Sequence, residues 1–323
     1  MPHGIVAINR PEVQTTPTFD TKMRAAWEKD EELKQTAEDD EGNKFFMLLD
    51  ILYCMKNHLS IITVVYNNYD VLEDFFKSLN KQIDTNFTVY IADTSSRRHT
   101  IQKQGFPTKV MCVENKGYAH GVNVALQKAT ENGGEQFCVI NTDVFFKENF
   151  VEKVKESLGA HTRSLIGGKI YYAPGYEYHT DRYGDNDRGN VLWYAGGTVD
   201  WKNTWTQHVG VDEVDHGQYD EKKETGFITG CCICFDKTVY EALGPWDEHY
   251  FLYYEDADYC QRAKKNNVRL VYDPHIVLWH KNAQSTEGSG SKLHMRYQKK
   301  AQLRFALKFA PWRTKLHVLK NYF

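Results

Sequence analysis

The chain has 323 residues, of which 41% are hydrophobic and 26% are charged, and its formal net charge is −3. This length suits about two domains, or one large α/β domain with additions. The ordinary composition excludes collagen-like, disulfide-scaffold and wholly disordered proteins. No run of 18 apolar residues occurs, which excludes a transmembrane helix. The N-terminus lacks a basic region followed by an apolar core, so we expect no signal peptide and a cytoplasmic location.

The charge is unevenly distributed along the chain. Residues 1–58 hold 7 basic against 11 acidic residues, residues 59–280 hold 23 against 31, and residues 281–323 hold 10 against 1. A basic C-terminal segment on an acidic body indicates an anionic surface or substrate near that segment. The alternative is an ordinary solvated helix that closes the domain.

Seven cysteines occur, mostly within apolar runs such as VMCV, FCVI and CCICF. Such surroundings predict buried free thiols in a reducing compartment. The closely spaced Cys231, Cys232 and Cys234 do not have the spacing of paired zinc ligands, so we interpret them as buried thiols too.

The pattern divides the chain into three parts. Residues 1–58 begin with a mostly charged run and then turn apolar, which predicts a helical N-terminal appendage. Residues 59–290 show the regular alternation of a main domain. Residues 291–323 predict a basic helical segment, with one amphipathic helix over 292–310. In that helix, Tyr297, Ala301 and Phe305 share a face, which rests on a membrane or packs on the domain.

Strands and helices alternate from residue 59 onwards. Strands are predicted at 59–65, 87–93, 109–113 and 136–140 from short apolar runs, with amphipathic helices at about 119–128 and 149–158. Asp70 and Glu73 form a capping-box pattern before another helix. Residues 171–225 are irregular and rich in Tyr, Trp, Gly and Asp, which indicates a functional region. A further strand is predicted at 227–235 and a helix at 255–265, followed by strands or extended segments at 268–273 and 276–280. This alternation favours βαβ units and a mostly parallel sheet.

Ligands bind such a sheet beyond the carboxyl ends of its strands. Four polar clusters fall at those ends in this sequence: 66–68, 93–95, 115–117 and 141–143. Neither a GxGxxG pattern nor a P-loop is present, so the common dinucleotide and mononucleotide fingerprints do not apply.

Six segments together resemble the family 2 glycosyltransferases of the GT-A fold, in the rhamnosyltransferase-like and galactofuranosyltransferase-like branch. The resemblance covers about residues 59–310, and the segments are LSIITVVYNN, YIADTSS, ENKGYAHGVNVAL, VINTDVFF, TGCCICFDKTVYEALGPWDEHYFLYYEDADYCQR and VYDPHIVLWHKNAQST. It implies a Rossmann-like, mostly parallel sheet flanked by helices. It also implies a nucleotide-sugar donor (a UDP- or dTDP-sugar), and a glycan or lipid-linked glycan acceptor rather than a nucleic acid.

The resemblance implies a metal site for Mn²⁺ or Mg²⁺. Asn141-Thr142-Asp143 matches the DxD position of the family, with Asn in place of the first Asp. Asp143 is the predicted ligand, and His280 matches a third metal ligand. Oxygen ligands with one or two carboxylates suit these cations when phosphates supply the rest. A strand-end turn is the alternative for residues 141–143.

The same resemblance implies contacts with the nucleotide. Asp93 matches the residue that reads the base, and Gly117 lies in a segment where the backbone approaches the nucleotide. Core packing is the alternative for the tyrosine at the first strand end. The predicted nucleotide-binding residues are Tyr66, Asn68, Asp93, Asn115, Gly117, Asn123, Asn141 and Thr142.

Glu255, Asp256 and Asp258 match the acidic motif of the family at a helix start. Inverting transfer needs one general base near the acceptor hydroxyl. Asp256 is the predicted base, Asp258 the second candidate, and Glu255 accompanies them. Asp258 and Arg262 have the spacing of a helical ion pair, which leaves Asp256 on a different side of the helix.

The irregular region offers side chains for the substrate. Aromatic rings there are candidates for stacking on sugars, and polar side chains for binding hydroxyls. The candidates are Trp201, Trp205, Tyr219, Asp212, Asp215 and His208.

Two other functions fit parts of the pattern. A catalytically silent protein that binds a glycan or a nucleotide sugar is compatible with Asn141 in the DxD position. A nucleotidyltransferase is disfavoured, because the chain lacks a Gly-rich N-terminal loop that bears Lys or Arg.

Overall fold

The computed structural model describes residues 57–281 and 292–322 of the chain. Its strands are β1 (Leu59–Val65), β2 (Phe87–Asp93), β3 (Thr108–Cys112), β4 (Gln136–Ile140), β5 (Val144–Phe146), β6 (Ser164–Tyr172), β7 (Leu192–Tyr194), β8 (Gly197–Asp200), β9 (Trp205–His208), β10 (Lys223–Glu224), β11 (Cys232–Asp236) and β12 (Arg269–His280). Its helices are α1 (Leu72–Asn80), α2 (Tyr118–Glu131), α3 (Phe150–Ala160), α4 (Lys237–Leu243), α5 (Glu255–Lys265), α6 (Lys292–Phe309) and α7 (Trp312–Tyr322), with one 3₁₀ turn at Thr180–Arg182.

Ten of these strands form one mixed sheet, and β8 pairs with β9 in a separate hairpin. The main path runs β10-β12-β6-β11-β4-β1-β2-β3. Strands β3, β2, β1 and β4 are parallel neighbours, as β12 and β6 are, whereas β11 is antiparallel to both β4 and β6. The predicted mixed α/β architecture with a mostly parallel sheet is therefore confirmed.

The apolar strands form the centre of this sheet, where helices cover both faces. Neighbouring residues of β1 enter different core clusters, with Ile61 in one and Ile62 in the other. Strands buried on both faces need continuous apolar runs, since neither side is left to solvent. The bounds of β1, β2 and β4 agree with those predicted from the sequence.

Strand β6 was not predicted, although it lies between β11 and β12 inside the sheet. Its run is interrupted by Gly167 and Gly168, which weakens a strand pattern. A Cβ atom at Gly167 would lie 2.6 Å from Cγ2 of Ile228, and one at Gly168 would collide with the backbone of Ile276. The two glycines thus mark a close approach of neighbouring segments within the sheet.

Three other predictions about elements were wrong in detail. The two strands predicted over 268–280 are one strand, β12, with an irregularity between Asp273 and Val277. The strand predicted from 227 begins only at Cys232. The N-cap of α1 is Val71 without a side-chain cap, so Asp70 and its capping box do not start this helix.

The C-terminal segment forms two helices rather than the single predicted one. In α6, Ala301 and Phe305 are buried, and the Phe305 ring stacks on Trp201 with 5.7 Å between ring centroids. This helix therefore packs on the domain. Among the described residues, no helix is both long and apolar enough to cross a bilayer. The predicted appendage falls almost wholly outside the described residues, and the three-part division stays a prediction.

Most cysteines are buried as predicted. Cys138, Cys231, Cys232, Cys234 and Cys260 are buried free thiols, but Cys112 is exposed at the end of β3, where the prediction was wrong. That strand lies at the edge of the sheet, so only part of its apolar pattern is covered.

Candidate active site

Asp93 ends β2 at the edge of the sheet where the parallel strands finish. The side chain is buried, its Oδ2 accepts a hydrogen bond from the hydroxyl of Tyr69 (2.7 Å), and its Oδ1 accepts one from the N–H of Ser95 (3.0 Å). These two donors fix the carboxylate and leave lone pairs for a ligand. Tyr69 was not predicted as a site residue. Its position shortly after the end of β1 could have indicated a side chain close to Asp93.

The end of β1 is joined to the end of β2 through Asn67. This residue has a left-handed backbone (φ 54°), its N–H donates to Oγ of Ser95 (2.8 Å), and its Oδ1 accepts from the N–H of Ser96 (3.1 Å). The neighbouring Tyr66 is 46% exposed, so core packing does not explain it, and Asn68 is partly buried.

The loop before α2 approaches another backbone segment very closely. Gly117 has φ 109°, and a Cβ atom there would lie 2.5 Å from the carbonyl oxygen of Phe251. That oxygen accepts a hydrogen bond from the N–H of Tyr118 (3.0 Å), while Oδ1 of Asn115 accepts one from the N–H of Gly117 (3.2 Å). Contact with Phe251 is thus a sufficient reason for glycine here, and the predicted approach to a nucleotide stays a prediction.

Asn123 is occupied by contacts within the protein. Its Nδ2 donates to the carbonyl of Trp246 (2.9 Å) and to Oε1 of Glu248 (2.8 Å), and its Oδ1 accepts from the N–H of Trp246 (2.8 Å). The side chain therefore anchors the segment that precedes α5. Its predicted contact with the nucleotide stays a prediction.

Asp143 and His280 meet between the start of β5 and the end of β12. Nε2 of His280 lies 3.3 Å from Oδ1 of Asp143, and both side chains are buried. The pairing of His280 with Val144 and the hydrogen bond from the N–H of Lys281 to the carbonyl of Asp143 (2.8 Å) set this geometry. The ring of Trp193 packs edge-on against His280, with centroids 4.4 Å apart.

This pair fits a divalent cation. A carboxylate and an imidazole are ligand types that Mn²⁺ accepts, and Nδ1 of His280 has no hydrogen-bond partner among the described residues. Thr142 is buried, and Oδ1 of Asn141 accepts a hydrogen bond from the hydroxyl of Tyr118 (3.1 Å). The side chain of Asn141 is thus held beside the pair.

Glu255 and Asp256 open α5 without a cationic partner among the described residues. Oδ2 of Asp256 accepts a hydrogen bond from the N–H of Gly230 (2.8 Å), and its Oδ1 accepts one from the N–H of Ala257 (2.7 Å). Burial raises the pKa of Asp256. Burial, reinforced by the charge of Asp256, raises the pKa of Glu255 to about 8. Both carboxyl groups therefore hold protons more readily than exposed ones do.

The backbone before these carboxylates is strained. Tyr253 and Tyr254 both have left-handed conformations (φ 71° and 66°), which side chains of this size rarely adopt. The hydroxyl of Tyr254 donates to the carbonyl of Thr204 (3.0 Å) and helps to hold the turn. Such strain persists where the surrounding structure enforces it, and it concentrates at functional sites.

Asp258 differs sharply from Asp256, two residues earlier. It is fully buried, and its oxygens bind Nε of Arg262 (2.9 Å) and Nζ of Lys308 (2.5 Å). The predicted ion pair with Arg262 is confirmed. Two cations occupy this carboxylate, so its geometry favours a role in joining α5 to α6 over the predicted second candidacy as base.

The segment that carries Asp143 is connected with α5 by two hydrogen bonds. One involves Cys231 and the other involves Gly230, the residue before it. The N–H of Asn141 donates to the carbonyl of Cys231 (3.0 Å), and the N–H of Gly230 donates to Asp256. The pKa of the buried Tyr118 hydroxyl is raised by burial and then by nearby charges, those of Glu255, Asp256 and Asp143 among them. The loop after β4 and the start of α5 thus border the same site.

Most of the polar candidates in the irregular region are bound within the protein. Asp215 pairs with the buried Lys169 (2.7 Å), and Nδ1 of His208 contacts the carbonyl of Trp193 (2.9 Å). Trp201 packs on α6, whereas Trp205 is 54% exposed on the β8–β9 hairpin. Asp212 and Tyr219 lie partly buried in the loop between β9 and β10.

The described residues contain one cluster of three thiols. The sulfur atoms of Cys138, Cys232 and Cys234 lie within 4.8 Å of one another, and all three side chains are fully buried in the sheet. Their full burial agrees with the prediction of buried thiols.

Comparisons with known proteins agree with this architecture. The model of Glycosyl transferase family 2 matches residues 60–244, which is more than half of the chain. An N-acetylglucosaminyl-diphospho-decaprenol L-rhamnosyltransferase of Mycobacterium tuberculosis is 24% identical over 245 residues, covering 72% of this chain and 78% of that protein. The dTDP-rhamnosyl transferase RfbF of Shigella flexneri is 21% identical over 229 residues, covering 70% of each chain.

A solved structure has the same fold. The crystal structure of GalNAc-T7 with UDP, GalNAc and Mn²⁺ superposes with a TM-score of 0.56 at 13% identity. The match covers 77% of this chain and 47% of that one, so this chain spans about half the length of that protein. Together with the strand-end site, these matches show that the chain belongs to Glycosyl transferase family 2 and is a glycosyltransferase of the GT-A fold.

Proposed function

We propose that this protein is an inverting, metal-dependent glycosyltransferase that uses a UDP- or dTDP-sugar. The observation that carries the proposal is the joint placement of the Asp143–His280 pair and of the carboxylate of Asp256, which has no cationic partner within the part of the chain that the structure describes. The first suits a cation on a diphosphate, and the second suits a proton acceptor. Neither arrangement alone distinguishes an enzyme from a binding protein.

The nucleotide would lie along the ends of β1, β2 and β3. Asp93, held by Tyr69 and Ser95, has the acceptor lone pairs that the N3–H of uracil or thymine requires. The exposed ring of Tyr66 is available for contact with the base or the ribose. Cytosine has an acceptor nitrogen in place of this N3–H, which favours UDP and dTDP over CDP.

Asp143 and His280 would hold Mn²⁺ or Mg²⁺. A cation held there would supply positive charge against the charge that develops on the leaving diphosphate. Asn141 is held by Tyr118 beside the pair, where its amide suits a contact with the ribose or with a metal-bound water. The carboxylate–imidazole pair supports a cation here, although the specific ion stays a proposal.

Asp256 would act as the general base. The N–H groups of Gly230 and Ala257 orient its carboxylate, while burial raises its pKa and so its affinity for a proton. The acceptor oxygen loses its proton to Asp256 and forms a bond to the anomeric carbon. The bond from that carbon to the diphosphate breaks, and the nucleoside diphosphate leaves. One displacement inverts the anomeric configuration.

The acceptor would be a hydroxyl of a glycan or of a lipid-linked glycan. The Mycobacterium relative acts on a sugar that is linked through a diphosphate to a polyprenol, as its name states. The predicted peripheral contact of the basic C-terminal segment with a membrane stays a prediction.

A thermal-shift screen with UDP, dTDP, GDP and CDP, each with and without Mn²⁺, tests the donor half of this proposal. Ligand at about 100 times its dissociation constant should stabilise the protein by roughly 2.7 kcal/mol. We expect a Mn²⁺-dependent shift with UDP or dTDP that Asp143→Ala abolishes. A shift without metal would discard the cation site, and no shift in the folded protein would favour a glycan-binding scaffold. Incubation with the matching nucleotide sugars then tests for transfer.

A further inference from the structure

A groove lies between α6 and the segment 249–252 that precedes α5. Its volume is about 560 Å³, within the range of small-molecule sites. Apolar side chains of both elements line it, among them Phe251, Leu252, Leu303 and Leu307. Phe251 and Leu307 are 37% and 44% exposed, so this apolar surface is open to solvent.

Cationic side chains lie in the same lining. Lys300 and Arg304 line the groove, and α6 carries six Lys or Arg residues and no Asp or Glu. Lys300 is exposed and forms no ion pair with the rest of the described chain. The groove thus combines an apolar surface with a lysine, Lys300, that has no acidic partner among the described residues, whereas Lys308 in the same lining is paired with Asp247 and Asp258.

Arg304 in this lining has a buried hydrogen-bond donor without a partner among the described residues. One end of its guanidinium contacts Asp247 (3.2 Å), and the group lies over the ring of Tyr250, 5.4 Å from its centroid. Its Nε is buried and has no acceptor among the described residues. An unpaired buried donor is costly, and an anionic oxygen entering the groove is the kind of acceptor that would satisfy it.

The groove lies next to the proposed reaction centre. The carbonyl of Phe251 accepts the N–H of Tyr118, whose hydroxyl donates to Asn141 in the loop after β4. Leu252 precedes Glu255 by only three residues, so the same segment leads from the groove to Asp256. A ligand in the groove would therefore lie on the approach to the proposed base.

We infer that the groove binds the diphosphate and the first hydrocarbon units of a lipid-linked acceptor. This inference rests on the proposed function and deepens it. The aliphatic side chains of Leu303 and Leu307 suit hydrocarbon better than a soluble glycan. An anionic membrane surface would engage exposed cations of α6 whether or not they line the groove. Hydrocarbon matches Leu303 and Leu307, and diphosphate matches Lys300 and Arg304.

Calorimetric titration of the full-length protein with farnesyl diphosphate, without nucleotide, tests the inference. Inorganic diphosphate lacks the hydrocarbon and farnesol lacks the charge, so each should bind at least about tenfold more weakly. Leu307→Asp and Lys300→Glu should each weaken binding of farnesyl diphosphate about tenfold. Matched controls are Leu316→Asp, at an exposed position of α7, and Lys299→Glu, at an exposed position of α6 outside the lining; both should bind normally.

Absence of farnesyl diphosphate binding, or equal losses in the groove variants and their controls, would overturn the inference. Cosedimentation with vesicles of phosphatidylcholine and phosphatidylglycerol measures binding of the protein to an anionic membrane surface. Equal weakening there by Lys299→Glu and Lys300→Glu, without selective loss of farnesyl diphosphate, would assign α6 to the bilayer surface instead. The Mn²⁺-dependent shift with nucleotide should persist in all four variants, which separates failure of the groove from failure of the proposed function.

Discussion

The loop after β4 and the start of α5 both bring buried carboxylates to the same site, in opposite electrostatic surroundings. Asp143 has the imidazole of His280 3.3 Å away. Glu255 and Asp256 have no cation partner among the described residues, and burial raises the pKa of each. The surroundings, rather than the residue type, therefore suit one carboxylate to a cation and the others to a proton.

The contrast is repeated within a single helical turn. Asp256 is held only by backbone N–H groups, whereas Asp258 is held by Arg262 and Lys308. The contacts of Asp258 with these two side chains tie α5 to α6. Substitution of each of these four carboxylates should therefore have a different consequence.

The largest effect should follow from Asp256→Asn. The amide preserves the shape of the side chain but cannot accept the proton of the acceptor hydroxyl, so transfer should fall roughly a thousandfold. Affinity for the nucleotide should stay within about twofold of the wild type, since the change does not touch the nucleotide. Transfer assays and calorimetry measure the two quantities. Near-normal turnover would show that another group is the base.

Asp143→Ala should act on binding as well as on transfer. Loss of a ligand from the cation site should weaken Mn²⁺-dependent nucleotide binding at least about tenfold. Chelation of the metal should lower the nucleotide affinity of the wild type to that of the variant. It should leave the nucleotide affinity of the variant unchanged. If chelation weakened both proteins equally, the cation would be bound elsewhere.

Asp258→Ala should mainly reduce stability. The change leaves Arg262 and Lys308 without their buried partner, and because both cations retain some exposure we expect a loss of about 2–3 kcal/mol in the free energy of unfolding. Urea denaturation measures it, with Glu241→Ala as a control at an exposed carboxylate of α4. Equal stability of the two variants would contradict the structural role.

The smallest effect, taken over a single pH unit, is a dependence of stability on pH that comes from Glu255. Its pKa rises from 4.5 to about 8 on folding, so between these values the folded protein holds a proton that the unfolded chain releases. Stability should therefore fall as pH rises through this window, by at most about 1.4 kcal/mol per pH unit. Glu255→Gln should reduce this slope in denaturation curves. An unchanged slope would show that Glu255 ionises normally.

Much of the sheet could be predicted because its strands are buried on both faces. β1, β2 and β4 are continuous apolar runs, and their polar ends mark the site. β6 was missed because Gly167 and Gly168 interrupt its apolar pattern. The two glycines are needed for close packing against neighbouring segments, and this packing can be seen only in the folded structure. The central break predicted in β12 was likewise a local irregularity within one strand.

The residues of the candidate site could be predicted from the sequence where they lie in short motifs. The motifs singled out Asp143, His280 and Asp256, and the structure brings their segments together. Tyr69 and Tyr118 were missed because each acts through a hydroxyl that meets its partner only after folding. Asn123 lies in a motif as well, yet its amide is bonded to the segment before α5, a contact more than 120 residues away in sequence.

The packing of Gly117 on the backbone of Phe251 has a consequence for recombining this protein with its relatives. The loop before α2 and the wall of the α6 groove come from segments more than 130 residues apart, yet they touch without room for one additional methyl group. A chimera that takes the N-terminal half of the sheet from one parent and the segment before α5 from another must therefore inherit both segments as a matched set. Crossovers placed between them would exchange specificity only when the two parents share this backbone contact.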